Sequence, residues 1–189
     1  MKRKIFLISL LVIALALVSV GSLAYFTAED TAHNVITSGT VDILLEEWSK
    51  NGDTLVPFED VVGVMPGTDV SKIVTVRNTG TADAWIRASV SIEVTVPLED
   101  GTIATLDPKY VNLDYNTEDW TYNDGYWYCK IAPEANGVTA PLFTTVSFDI
   151  AMDNRYQNST AVIDVDAQAT QKANNGETVE DALGWPEAE

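Results

Sequence analysis

The stretch AWIRASVSIEVTV, residues 84–96, decides the fold. Its apolar residues occupy alternate positions and face away from a polar set, which is the pattern of a long strand with one buried face. Trp85 lies on the otherwise polar face, so we expect another part of the chain to cover that end. Pro97 and then Asp100-Gly101 end the strand. The apolar set is Ala84, Ile86, Ala88, Val90, Ile92, Val94 and Val96.

Shorter stretches on both sides of this strand show the same alternation, and turn residues separate them. Asn123-Asp124-Gly125 lies among aromatic residues and predicts a hairpin. Strands at short intervals with little helix predict an all-β fold, an antiparallel β-sandwich. The other predicted strands contain Val41 to Leu45, Val70 to Arg77, Leu142 to Met152 and Ile163 to Ala169.

A short C-terminal helix is predicted after the last strand. Thr178 can cap it, with Asp181 three residues further on, and Gly184 and Pro186 would stop it. The buried residues of this helix would be Val179, Ala182 and Leu183.

The N-terminus has the pattern of an export signal, predicted as residues 1–24. A basic cluster, Lys2 to Lys4, precedes the uncharged run from Ile5 to Val20. Ser22-Leu23-Ala24 then places small residues where a signal peptidase cuts, so we predict cleavage between Ala24 and Tyr25. The alternative is an uncleaved membrane anchor, because the apolar run is only slightly shorter than the roughly 20 residues of a spanning helix. The membrane is a predicted partner only through this uncleaved signal.

The mature chain would be one strongly acidic domain. The whole sequence carries 11 basic and 28 acidic residues, and the signal removes three basic residues, which leaves a formal charge of −20. Nucleic acid is excluded as a partner because phosphate binding needs clustered Lys and Arg, and none follows Lys4. Solubility outside the cell is the simpler reading of this charge, and mutual repulsion of free subunits is the other.

The sequence contains one histidine, His33, and one cysteine, Cys129. A zinc protease needs two histidines one helical turn apart with a glutamate between them, and a serine or cysteine triad would have to use His33. The chain is therefore predicted not to be an enzyme. We expect Cys129 to be a small buried hydrophobe.

Calcium is the one metal that the plentiful carboxylates suggest. Candidate pairs are Asp164 with Asp166, and Asp149 with Asp153 beside Asn154, but neither matches a compact calcium loop. A solvated acidic strand face is the favoured interpretation, so no metal or cofactor is predicted.

Several motifs together resemble the TasA/camelysin proteins of Gram-positive bacteria, which are exported through a SipW-type signal peptidase. The resemblance covers nearly the whole chain, and each motif alone is moderately specific. The matching stretches are Gly21 to Phe26, Ile36 to Ile43, Pro66-Gly67, Lys72 to Gly80, Asp83 to Arg87, Gly125 to Tyr128, Pro141 to Phe143 and Ala167 to Gln171.

This resemblance implies a jelly-roll topology for the sandwich, residues 39–189, and a role as the major fibre subunit of a biofilm matrix. The protein would be secreted to the extracellular matrix or the cell surface and would polymerise with copies of itself. A SipW-type peptidase is an implied partner, and the resemblance also allows an accessory anchoring protein.

In such fibres the N-terminal segment of one subunit completes the sheet of the next. Residues 25–38 would form this donor segment, with Tyr25 to Val35 as the donor strand and Phe26, Ala28 and Ala32 as the side chains that enter the neighbour. The weak strand pattern of the segment agrees with this role, because a segment that forms a poor strand alone can gain order by pairing with an open sheet edge. The alternative for the segment is a frayed terminus. The alternatives for the protein are a camelysin-like cell-surface metalloprotease and a monomeric surface adhesin or accessory matrix protein.

Overall fold

Ten strands form two antiparallel sheets in a computed structural model that describes residues 40–59, 61 and 65–186. The first sheet has the order β2 (Thr54–Pro57), β1 (Ile43–Asn51), β3 (Asp69–Asn78), β9 (Phe143–Phe148) and β6 (Val111–Leu113). The second has the order β10 (Thr160–Gln171), β4 (Ala84–Pro97), β8 (Tyr126–Cys129) and β7 (Trp120–Asn123), and β5 (Ile103–Leu106) also pairs with β4. Two single 3-10 turns complete the structure, Pro108–Tyr110 and Asn154–Tyr156.

The two sheets confirm the predicted all-β sandwich. The strand order does not establish a jelly roll, so that topology stays a prediction, as do the domain boundaries.

Strand β4 is the centre of the second sheet, as its sequence predicts. Ala84, Ile86, Ala88 and Val94 are fully buried. Strand β10 pairs with β4 without a break from Thr160, opposite Thr95, to Gln171, opposite Ala84. The alternation of each strand therefore supplies one half of the same buried face.

The predicted hairpin is confirmed at β7 and β8. Asn123 pairs with Tyr126, and the two residues between them have φ values of 46° at Asp124 and 86° at Gly125. Positive φ at both central residues gives a two-residue turn whose twist matches that of the strands.

The C-terminal segment covers the outer face of the second sheet at Trp85, as the position of this tryptophan on the polar face predicts. Trp85 is 4% exposed, and its indole Nε1 donates to Asn175 O at 2.8 Å. Val179 and Ala182 pack beside it in a small apolar cluster with Tyr128. This cluster is separate from the core between the sheets.

The predicted C-terminal helix is wrong, because this segment forms turns instead. Thr178 Oγ1 does contact Asp181 Oδ2 at 2.9 Å, so the capping residues meet as the sequence suggested. Asn175, however, accepts from Leu183 N at 2.8 Å and donates to Leu183 O at 2.9 Å. These bonds tie the backbone to a side chain that precedes the segment, so the turn does not continue as a helix. Leu183 is 75% exposed rather than buried.

Candidate assembly groove

Strand β10 is an open edge of the second sheet. It pairs with β4 along its whole length, and its other side pairs with no strand among the described residues. An open edge presents a row of backbone N–H and C=O groups that another strand can bind.

Strand β1 has a second open edge over half of its length. It pairs with β3 from Ile43 to Trp48, but on its other side β2 covers only Trp48 to Asn51. Phe58 N also donates to Glu47 O at 3.0 Å and closes the edge at that point. The stretch from Ile43 to Glu46 is therefore paired on one side only, within the part of the chain that the structure describes.

A cavity of about 630 Å³ lies where the start of β1 faces the middle of β10. Val41, Asp42 and Ile43 line it on the β1 side. Asp166 to Ala169 line it on the β10 side, and Ser89, Tyr126 and Pro186 complete its wall. We call the space between residues 43–46 and β10 the lateral groove.

Half-buried apolar side chains occur on β1 and β10, the strands on either side of the lateral groove. They pack against fully buried core residues such as Val76 and Ile86, yet each keeps some exposure. Apolar side chains beside two open edges are a surface that an added strand would cover. These side chains are Ile43 and Leu45 on β1, and Ile163, Val165, Ala167 and Ala169 on β10.

The rim of the groove is acidic. Asp42, Asp164 and Asp166 are exposed and form no ion pair with any described residue. Glu46 is neutralised by Arg77, whose Nε and Nη2 donate to its two carboxylate oxygens at 2.7 and 3.2 Å. The hydrogen bond with Glu46 raises the pKa of Arg77 further. A negative rim repels an acidic ligand, and salt weakens this repulsion by screening the charges.

An ion pair between buried Lys72 and half-buried Glu47 closes the far end of the open β1 edge. Lys72 Nζ lies 2.7 Å from Glu47 Oε1 and 4.0 Å from the centre of the Phe58 ring. Lys72 is 5% exposed, so the carboxylate and the ring together compensate for its lost hydration. This contact holds the chain after β2 against β1 at the point where the edge stops being open.

The residues predicted to act in export and assembly lie outside the described residues. They are Ala24, Tyr25, Phe26, Ala28 and Ala32. The signal cleavage site and the donor strand therefore stay predictions.

The described residues do not fit a metal. They contain no group of three or more His, Cys, Asp or Glu placed to hold an ion. Asp153 is bound instead by Arg155, whose Nη2 donates to its Oδ2 at 2.7 Å, and this hydrogen bond lowers the pKa of Asp153. Asp149 accepts from Ala151 N at 2.7 Å. The second candidate calcium pair, Asp149 with Asp153, is thus used in local turns.

Cys129 is a buried core residue, as predicted. It is 1% exposed, and burial raises the pKa of its thiol to about 11. Its Sγ donates to Ile131 O at 3.2 Å. A thiol with this pKa stays protonated at neutral pH and is a poor nucleophile.

Sequence reasoning did not find the lateral groove. Its only local signal is that β2 is four residues long, which leaves most of β1 without a partner on that side. Nothing local to β1 or β10 indicates that the two edges lie together.

No helix within residues 40–59, 61 and 65–186 is long and apolar enough to span a membrane. No curated protein matches the chain. The family described as Camelysin metallo-endopeptidase matches residues 1–103, which is more than half of the 189 residues. This match confirms the resemblance to the TasA/camelysin proteins. It also contradicts the prediction that the chain is not an enzyme, because the family is described by a peptidase activity. The chain belongs to the camelysin metallo-endopeptidase family.

Proposed function

We propose that the mature protein is the structural subunit of an extracellular biofilm matrix fibre. It is secreted after cleavage at Ala24 and polymerises when residues 25–38 of one copy enter the lateral groove of the next. The observation that carries this proposal is the groove itself, where two open strand edges flank half-buried apolar side chains. A strand added there gains backbone pairing and apolar burial together.

The donor strand and the acceptor edge have matching lengths. Tyr25 to Val35 is 11 residues and β10 is 12 residues. At about 3.3 Å per residue both span roughly 36 to 40 Å when extended. The donor can therefore pair along nearly the whole of β10.

The donor side chains suit the groove in size. Residues at alternate positions share one face of a strand, so Phe26, Ala28 and Ala32 point the same way. Small alanines fit beside Ala167 and Ala169, where the groove is bordered by small residues. Burying Phe26 contributes about 2 kcal/mol, and each cross-strand pair adds roughly 0.2–1 kcal/mol.

The donor of one copy and the groove of the next are different segments of the chain, so the proposed contact is heterologous. A heterologous contact that does not close into a ring propagates as a filament. Cleavage then acts as the switch, because it frees the donor from its membrane signal.

Assembly should depend on salt because both partners are acidic. Glu29 and Asp30 of the donor must approach Asp42, Asp164 and Asp166. We expect light scattering from mature protein to grow several-fold faster near 0.15 M salt than near 0.01 M, since the Debye length falls from about 30 to about 8 Å. Electron microscopy of the same samples should show filaments. Scattering that stays at the level of a single particle at every salt and protein concentration would favour the monomeric adhesin instead.

The family description supports a second candidate function, metal-dependent cleavage of peptide bonds. It predicts that purified mature protein digests casein and that a chelator abolishes this digestion. The control is the same protein purified a second time in denaturant and then refolded. This step removes contaminating host peptidases. Casein that stays intact after zinc is added would contradict this candidate, and neither result bears on filament growth.

A further inference from the structure

The turn between β3 and β4, residues 78–81, holds the first described residues of the chain. Thr79 N and Gly80 N both donate to Asp42 O, at 2.9 and 3.1 Å. Thr81 N donates to Thr40 O at 3.0 Å, and Thr81 Oγ1 accepts from Thr40 N at 3.0 Å. Four hydrogen bonds thus fix a stretch of three residues. We call residues 78–81 the root turn.

Asn78 makes the root turn rigid. Its side chain is completely buried, and its Oδ1 accepts from Gly80 N at 3.0 Å. Its Nδ2 lies 2.8 Å from Ala82 O and 3.1 Å from Pro133 O. A satisfied, buried side-chain amide of this kind fixes the surrounding backbone in one arrangement.

Gly80 lets the two chain segments approach closely. A Cβ at this position would collide with Thr40 O and lie 2.9 Å from Asp42 N. Its backbone φ is not in the left-handed region, so the glycine is explained by the close approach alone.

We propose that the root turn is a positioning device for assembly: it fixes the point at which the chain that follows the donor segment enters the sandwich. This inference rests on the proposed function, in which residues 25–38 are the donor segment. Thr40 follows that segment closely in the sequence. Asp42, which the root turn binds, also lines the lateral groove. The root turn therefore holds both the entry of the chain into the sandwich and one wall of the groove. We expect this shared contact to set the distance from one subunit to the next along the filament.

The test compares Thr81→Val with Thr81→Ser in the full mature protein. Thr81 is exposed, so both variants should melt within a few degrees of the wild type. Valine removes the oxygen that binds Thr40 N, whereas serine keeps it. We expect Thr81→Val to lose exchange protection at the Thr40 amide and to elongate filaments roughly five-fold more slowly, the effect of one hydrogen bond, with Thr81→Ser near the wild type.

A second pair of variants separates positioning from stability. Gly80→Ala displaces Thr40, whereas Gly52→Ala strains a positive φ of 62° in a turn where nothing lies within 4 Å of the new Cβ. Compared at equal folded fraction, Gly80→Ala should give no filaments or filaments with an altered subunit repeat, and Gly52→Ala should give normal ones.

Normal growth and repeat in both Thr81→Val and Gly80→Ala would overturn the positioning role, as would equal defects in Thr81→Val and Thr81→Ser. The proposed function fails by a different result, normal filaments from protein without the donor strand.

Discussion

Mature protein that lacks Tyr25 to Asn34 should fold as a monomer and form no filaments. Both described sheets are built from strands between Ile43 and Gln171, so we expect the sandwich to fold without these residues. Polymerisation does need them under the proposed function. Loss of Phe26 burial and of the strand pairs removes several kcal/mol, enough to lower the affinity between subunits by more than about 100-fold.

Light scattering and electron microscopy measure this loss, and thermal melting verifies that the truncated protein is folded. Phe26→Ala and Thr27→Ala provide a matched pair, because adjacent residues of a strand face opposite ways. We expect the first to slow assembly and the second to have little effect. A synthetic peptide with the sequence of Tyr25 to Val35 should also stop growth of the intact protein by occupying the groove. Filaments of normal yield from the truncated protein would rule out the donor role.

Local patterns predicted the parts of the fold that depend on neighbours in sequence. The alternation of β4 depends on side-chain period, and the β7–β8 hairpin depends on the φ preferences of Asp124 and Gly125. Trp85 on a polar face correctly predicted a covering segment. In each of these the information lies within a few residues.

The lateral groove could not be predicted because it depends on pairings between distant segments. Val165 of β10 lies opposite Val90 of β4, 75 residues away in the chain. An edge stays open when no strand pairs with it, and the sequence of β10 contains no pattern that shows whether a partner strand is present. The C-terminal helix failed for a related reason. Its capping pair formed, but Asn175 took the backbone groups of Leu183 that a helix would have used.

Lysine substitutions on the two faces of β10 should separate groove binding from general charge effects. Val165 is half-buried on the core face of β10, the strand beside the lateral groove, whereas Val162 lies three residues earlier on the opposite face and is 42% exposed. Val165→Lys and Val162→Lys each add one positive charge to the same strand, so they change repulsion between subunits equally. They differ in whether the new ammonium group meets an incoming donor.

Val165→Lys should form filaments only at much higher protein concentration, while Val162→Lys should assemble at least as well as the wild type. In the free Val165→Lys subunit the introduced side chain can extend its charge through the open groove into water, so the monomer stays folded at a moderate cost. An inserted donor would cover that route and force the charge to lose hydration, which costs several kcal/mol. Val162→Lys faces Glu93 across the strand pair and gains a favourable neighbour instead. Critical concentrations measured by sedimentation should therefore rise at least about ten-fold for the first variant and not for the second. Equal critical concentrations for the two folded variants would show that the donor does not enter beside β10, and the acceptor would then have to be sought at another edge.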